Sequence, residues 1–221
     1  SDLVYDFNRI SVNDTVNHLK SIAEKERITA EEDALNVIAV KSDGGMRDAL
    51  STFDQVVSFC GKNITYKNVV ENLNILDYDY YFKLTQTCFE MQIPSALVLV
   101  NEILSKGFEA GNIISGLLEH ARDLLVCKNP ETAMLLNVGA GIREKYLKQA
   151  EIIPQDFLLD TLELCNQAEL EYKQSKNKRL LLEGNTITNV CKDIGISRST
   201  IRDRFEKKGY IYYSSIKQYK S

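Results

Sequence analysis

Gly44-Gly45-Met46-Arg47-Asp48-Ala49-Leu50-Ser51-Thr52-Phe53-Asp54-Gln55 is the stretch on which the fold turns. Two adjacent glycines end one helix and open the next. Behind them Met46, Leu50, Phe53, Val56, Val57 and Cys60 recur at three- and four-residue steps, which makes one stripe of a helix. Gly61-Lys62-Asn63 closes that helix, and Thr65 is placed to cap a short one through Val69, Val70 and Leu73. Upstream, Thr29-Ala30-Glu31-Glu32 reads as a capping box ahead of Ala34, Leu35, Val37, Ile38 and Val40. Further back, Ser11 reads as an N-cap, with Val16, Leu19, Ile22 and Ala23 on the inner face of a helix that ends near Arg27. Leu3-Val4-Tyr5-Asp6-Phe7 alternates weakly and reads as an extended approach.

A second set of helices follows Leu76-Asp77. Tyr78 to Met91 carries an aromatic cluster at Tyr78, Tyr80, Tyr81 and Phe82. Pro94 suits the first turn of a helix running to Lys106, with Gly107 at its C′ position. Asn112 starts another, with Ile114, Leu117, Leu118, Ala121, Leu124 and Leu125 facing in. Pro130 opens a short helix, and a break near Val138-Gly139 leads on to Ile142, Tyr146 and Leu147. Pro154 begins a long helix predicted to reach about Leu182. Short connections of this kind are typical of antiparallel bundles. The fold class is therefore all-α, in three groups: 1–75, 76–183 and 184–221.

Composition narrows the class further. The 221 residues are 44% hydrophobic and 26% charged, which excludes a disordered chain, a collagen repeat or a disulfide scaffold. No apolar run approaches the roughly 18 residues that span a bilayer, and no signal peptide is expected. A cytoplasmic protein is expected, and a first residue of Ser rather than Met suggests a piece of something longer. Cys60, Cys88, Cys127, Cys165 and Cys191 are widely spaced with no CxxC pair, so they read as free buried thiols and no metal site is expected. His18 and His120 stand far apart, and no nucleophile–His–acid grouping can be read.

The charge is divided. Residues 1–172 hold 15 Lys/Arg against 27 Asp/Glu, a balance of −12, whereas residues 173–221 hold 12 against 4, a balance of +8. A basic end on an acidic body suggests two modules with different partners. Charge alone does not choose between a nucleic-acid surface and a solvated tail.

The Gly44–Gln55 run resembles the sensor-2 helix of clamp-loader ATPases. Tyr5-Asp6-Phe7-Asn8-Arg9-Ile10 resembles that family's approach to its lid domain, and Ile28-Thr29 with Ala34-Leu35 is similar to its second helix. Asn74-Ile75-Leu76-Asp77 and Gly107-Phe108 fit the collar that follows. Residues 1 to about 183 thus resemble the lid and collar of a bacterial DNA polymerase III gamma/tau subunit. The resemblance implies a lid at 1–75, an oligomerising collar at 76–183, other clamp-loader subunits as partners, and a place in a replicative polymerase holoenzyme. It gives Arg47 a nucleotide-sensing role, in which a guanidinium at the seam with a nucleotide-binding domain holds a terminal phosphate. Taken without the resemblance, Arg47 is a solvated first-turn residue, although a cation is mildly disfavoured there. GxxxxGK[ST] is absent, and so is the family's Ser-Arg-Cys arginine-finger segment. No catalytic residue, no bound cofactor and no ATPase activity are expected of this chain. ATP and Mg²⁺ would enter only through an upstream domain.

Thr186 to Phe205 resembles a helix-turn-helix of the regulator and recombinase type, after a collar helix expected to stop at Gly184-Asn185. Val190 and Ile194 are apolar, Cys191 is small at a close crossing, Gly195 supplies the turn, and Ser197 caps a second helix. Ile201 and Phe205, or Arg204 by its stem, are expected to pack back. Arg198, Ser199, Thr200 and Arg202 would then face a major groove, with Lys207 and Lys208 near the backbone. Tyr210-Ile211-Tyr212-Tyr213 reads as a short strand or packing strap. The competing functional reading is a DNA-binding transcriptional regulator whose helical body is an oligomerisation domain.

Overall fold

The computed structural model describes residues 10–192, 211–213 and 218–220. These fall into two compact units. The first holds 10–80 and 126–149, and the second holds 81–125 and the described residues from 150 onward. The fold is all-α, apart from two short strand pairs.

In the first unit α1 (Val12–Lys25), α2 (Glu32–Lys41), α3 (Met46–Cys60) and α4 (Tyr66–Asn72) surround one apolar core. Leu19, Leu35, Ile38, Phe53, Val56, Ile64 and Val69 are buried at its centre. Ser11 caps α1 by accepting from the Asp14 amide at 3.1 Å, and Thr65 caps α4 by accepting from Asn68 at 3.3 Å. The expected capping box does not form. Thr29–Ala30 is a strand, β1, paired in parallel with β2 (Asn63–Ile64). Glu31 instead lends its carboxylate to the next helix and accepts the Tyr66 amide at 2.7 Å. A local reading misses this because the partner lies 35 residues away. α8 (Pro130–Ala133) belongs to this unit and is capped by Asn129, which accepts from Glu131 at 2.9 Å.

Helix ends explain how a chain poor in glycine turns so often. At Arg27, Asn74 and Met91 the backbone takes left-handed values, φ 57°, 50° and 57°. Each sits at the C′ position of a Schellman motif. The paired bonds are Ile28 N–H to Ala23 with Arg27 to Glu24, Ile75 to Val70 with Asn74 to Glu71, and Gln92 to Thr87 with Met91 to Cys88. The motif places Ile28 and Ile75 against the first unit's core.

α5 (Tyr78–Phe89), α6 (Ile93–Ser105), α7 (Ala110–Val126), α9 (Ala140–Ile152) and α10 (Gln155–Tyr172) follow. Within the second unit, two glycines of α7 serve as seats for aromatic rings. A Cβ at Gly116 would overlap the Tyr81 ring, whose hydroxyl donates to the Asn112 carbonyl at 3.1 Å. A Cβ at Gly111 would come within 2.9 Å of the Tyr172 ring. Phe89 and Phe157 meet edge to face at 5.4 Å.

The long helix expected from Pro154 to about Leu182 is in fact two. α10 ends at Tyr172, and Asn177 caps a new start by accepting from the Leu180 amide at 3.0 Å. From there α11 (Lys178–Leu180), a π-helical stretch (Leu181–Ile187) and α12 (Thr188–Lys192) run on without a break. The expected stop at Gly184-Asn185 is therefore overturned. Thr186 and Thr188 donate their hydroxyls five residues back, to Leu181 at 3.0 Å and to Glu183 at 2.6 Å. The wider turn keeps Leu182, Ile187 and Val190 all buried, and that burial outweighs the weak helix propensity of Gly184 and Asn185. The expected turn and second helix of the helix-turn-helix lie outside the described residues. Of the tail, Ile211–Tyr213 forms β3, antiparallel to β4 (Gln218–Lys220).

Candidate functional site

The start of α3 is shaped by the turn before it. Ser42 closes α2 by donating its hydroxyl to the Ile38 carbonyl at 2.7 Å. Asp43 and Gly44 then take φ 45° and 79°, a left-handed pair that glycine eases at its second position. Gly45 donates to the Ser42 carbonyl at 2.9 Å and becomes the N-cap, with no side chain to close the helix end. The buried stripe of α3 is Ala49, Phe53 and Val56, with Leu50, Val57 and Cys60 partly covered. That stripe fixes the helix roll and leaves Arg47 and Asp48 exposed in the first turn. Among the described residues Arg47 forms no hydrogen bond or ion pair. The Asp48 carboxylate lies beside Gly45, where a Cβ would meet its Oδ2 at 3.0 Å.

A cation at this position runs against the helix dipole and is exposed without a partner inside the described fold. Such a group has free geometry to meet an anion brought from outside. Its planar fork suits a phosphate oxygen pair.

The first unit contains a second glycine-flanked helix start that the sequence reading took only as a break. Val138-Gly139-Ala140-Gly141 opens α9, and Asp33 of α2 reaches into it. A Cβ at Gly139 would overlap Asp33 Oδ1 and come within 2.9 Å of its Cα, and one at Gly141 would stand 2.5 Å from Oδ2. Burial raises the Asp33 carboxyl above its usual value of 3.8, helped by Glu32 and Glu31, while the amides of Ile142 and Gly141 pull the other way. Its Oδ1 is buried with no partner among the described residues. The two closely spaced glycines were the available signal, but nothing local pointed to Asp33.

Of the other sequence candidates, Arg198, Ser199, Thr200, Arg202, Lys207 and Lys208 lie outside the described residues. His18 is exposed on α1, and His120 is buried against Phe82 at 4.7 Å. Among the described residues no group of three or more His, Cys, Asp or Glu is arranged to hold a metal ion. No helix among them is long and apolar enough to cross a membrane.

Residues 14–62 match the family model of the DNA polymerase III clamp loader subunit, ATPase lid domain. They take in α1 from Asp14 onward, α2 and α3, including Arg47. DNA polymerase III subunit tau of Bacillus subtilis is 27% identical over 187 residues, 85% of this chain and 33% of that protein. DNA polymerase III subunit gamma of Buchnera aphidicola subsp. Acyrthosiphon pisum is 30% identical over 149 residues, 67% of this chain and 40% of that protein. This chain thus spans well under half the length of these curated relatives. Among solved structures, the Bacillus subtilis DNA clamp loader delta protein superposes with a TM-score of 0.51 at 19% identity, covering 83% of this chain and 57% of that one. That likeness shows a shared fold.

Proposed function

We propose that this chain is the lid and collar part of a DNA polymerase III gamma/tau clamp-loader subunit. In this reading residues 1–75 are the lid, 76–183 are the collar through which sister subunits assemble, and 184–221 form a basic DNA-contacting module. The observation that carries it is the lid match at 14–62 with an exposed, unpartnered Arg47 at the glycine-opened start of α3. The chain has no phosphate-cradling loop, so it turns over no ATP by itself. Arg47 acts on nucleotide held by a domain upstream of the lid, where ATP and Mg²⁺ bind. The test is reconstitution with sister clamp-loader subunits. The reading predicts a stable assembly formed in the absence of DNA. A chain that stays monomeric with every sister subunit contradicts it.

The basic end supports the DNA part of the proposal. Its +8 balance supplies phosphate contacts, and Arg198 and Arg202 stand four residues apart in a stretch that reads as a recognition helix. Anisotropy titration with duplex DNA at low salt should show binding that weakens as salt rises. Arg198→Ala or Arg202→Ala should cost about 1–3 kcal/mol, and Lys207→Ala should weaken all sequences alike. No binding at low salt would remove this module from the proposal and leave the collar reading intact.

A further inference from the structure

Three thiols gather inside the second unit. Cys88 of α5 and Cys165 of α10 are fully buried, and Cys191 of α12 is 1% exposed. The Cys191 thiol donates to Cys88 Sγ at 3.0 Å. A disulfide bond is about 2.05 Å long, so the two sulfurs stand roughly 1 Å from bonding distance. Cys165 is near enough to Cys88 to act on it electrostatically. The two partners are 103 residues apart in sequence, so this meeting is a product of the fold.

We infer that Cys88 and Cys191 form a reversible disulfide when the protein meets a small-molecule disulfide, fastening α12 to α5. In the closed fold both thiols are shielded. The hydrogen bond with Cys191, and then burial, raise the Cys88 thiol well above its usual value, so reaction starts by local opening. The segment suited to open is the one carrying Cys191, because it contains Gly184 and a π-helical stretch. The exposed Cys191 thiolate attacks one sulfur of the oxidant and breaks its S–S bond, and one small thiol leaves. While the segment is open Cys88 gives its proton to water, its thiolate then attacks Cys191 Sγ in the mixed disulfide, and the second small thiolate leaves and takes up a proton. Two protein thiols thereby lose two protons and two electrons, and the oxidant departs as two thiols. The reduced chain can release α12, which lies within the basic C-terminal segment. The oxidised chain holds it.

The test uses the full chain carrying Cys60→Ser, which removes the one cysteine that is only partly buried and leaves four. It is incubated with excess oxidised glutathione, blocked with an alkylating reagent and mapped by mass spectrometry. The expected result is a peptide pair joining Cys88 to Cys191, loss of two of the four thiols, and reversal by a dithiol reductant. Trypsin cleavage after Lys178 and Arg179 should slow several-fold in the oxidised form. Adding Cys165→Ser should leave the link in place, and Cys191→Ala should abolish it. Persistence of all four thiols, glutathione adducts without a protein link, or a Cys88–Cys165 link would each overturn the inference. The peptide map of the Cys60→Ser chain decides the matter even if a core variant fails to fold.

Discussion

α3 and α9 both begin at glycine pairs, and both starts lie in the first unit, yet they are finished differently. At α9 the amides are met from within by Asp33, and the glycines exist because a Cβ has no room beside that carboxylate. At α3 no side chain closes the helix end, and its first turn carries an exposed cation. A sealed end is structural. In the proposed function, the open end with its dipole-opposed charge is where a group outside the described fold completes the arrangement.

The sealed end should be the more fragile. Gly139→Ala drives a methyl into Asp33 at both its carboxylate and its backbone, and is expected to destabilise the chain by about 1–3 kcal/mol or more. Gly184→Ala is the contrast. Its Cβ would meet the Leu180 side chain at ordinary contact distance, Cδ1 at 3.4 Å and Cγ at 4.0 Å, and a helix-interior alanine should stabilise by about 0.5–1 kcal/mol. Chemical denaturation of both variants checks the pair. If Gly139→Ala costs no more than Gly184→Ala, the cradle is wrong.

Asp33 also sets a pH dependence. Its folded carboxyl holds its proton more tightly than the unfolded value of 3.8, so the folded state binds more protons in the interval just above that value. Stability from this group is therefore full below the unfolded pKa and declines as pH rises through the raised one. Asp33→Asn should flatten that slope in denaturation series from pH 3 to pH 7. An unchanged slope would mean that the carboxylate is not held as described.

The open end should be nearly indifferent to mutation. Arg47→Glu replaces a disfavoured cation with a favoured anion, and is expected to leave stability unchanged or raise it by about 0.3–1 kcal/mol. A loss of stability would show that Arg47 is a structural residue.

Much of this was legible in the sequence. The helical period of Val16, Leu19 and Ala23, the caps at Ser11 and Thr65, and the glycine turn at 44–45 are local signals, and the structure follows them. What failed was long-range. Thr29 and Glu32 looked like a capping box, but Thr29 lies in β1, and Glu31 between them serves α4 across the β1–β2 pair. Gly184-Asn185 looked like a stop, but burial of Leu182 and Ile187 on either side carries the helix through. Left-handed turns at Arg27, Asn74 and Met91 left no glycine to read. At the candidate site, the place of Arg47 in the first turn of α3 was legible because two glycines precede it. Asp33 was not, because its partner glycines are more than 100 residues away.

The most direct test of the proposed function places Arg47 in an assembly that joins this chain to a clamp-loader nucleotide-binding domain and other clamp-loader subunits. The quantity to measure is ATP affinity, for the wild type and for Arg47→Ala. Loss of a charge-assisted contact is worth about 1.5–3 kcal/mol, so the account predicts binding weaker by roughly 10- to 150-fold, with the folded stability of the isolated chain unchanged. Equal ATP affinity in the two assemblies would contradict it.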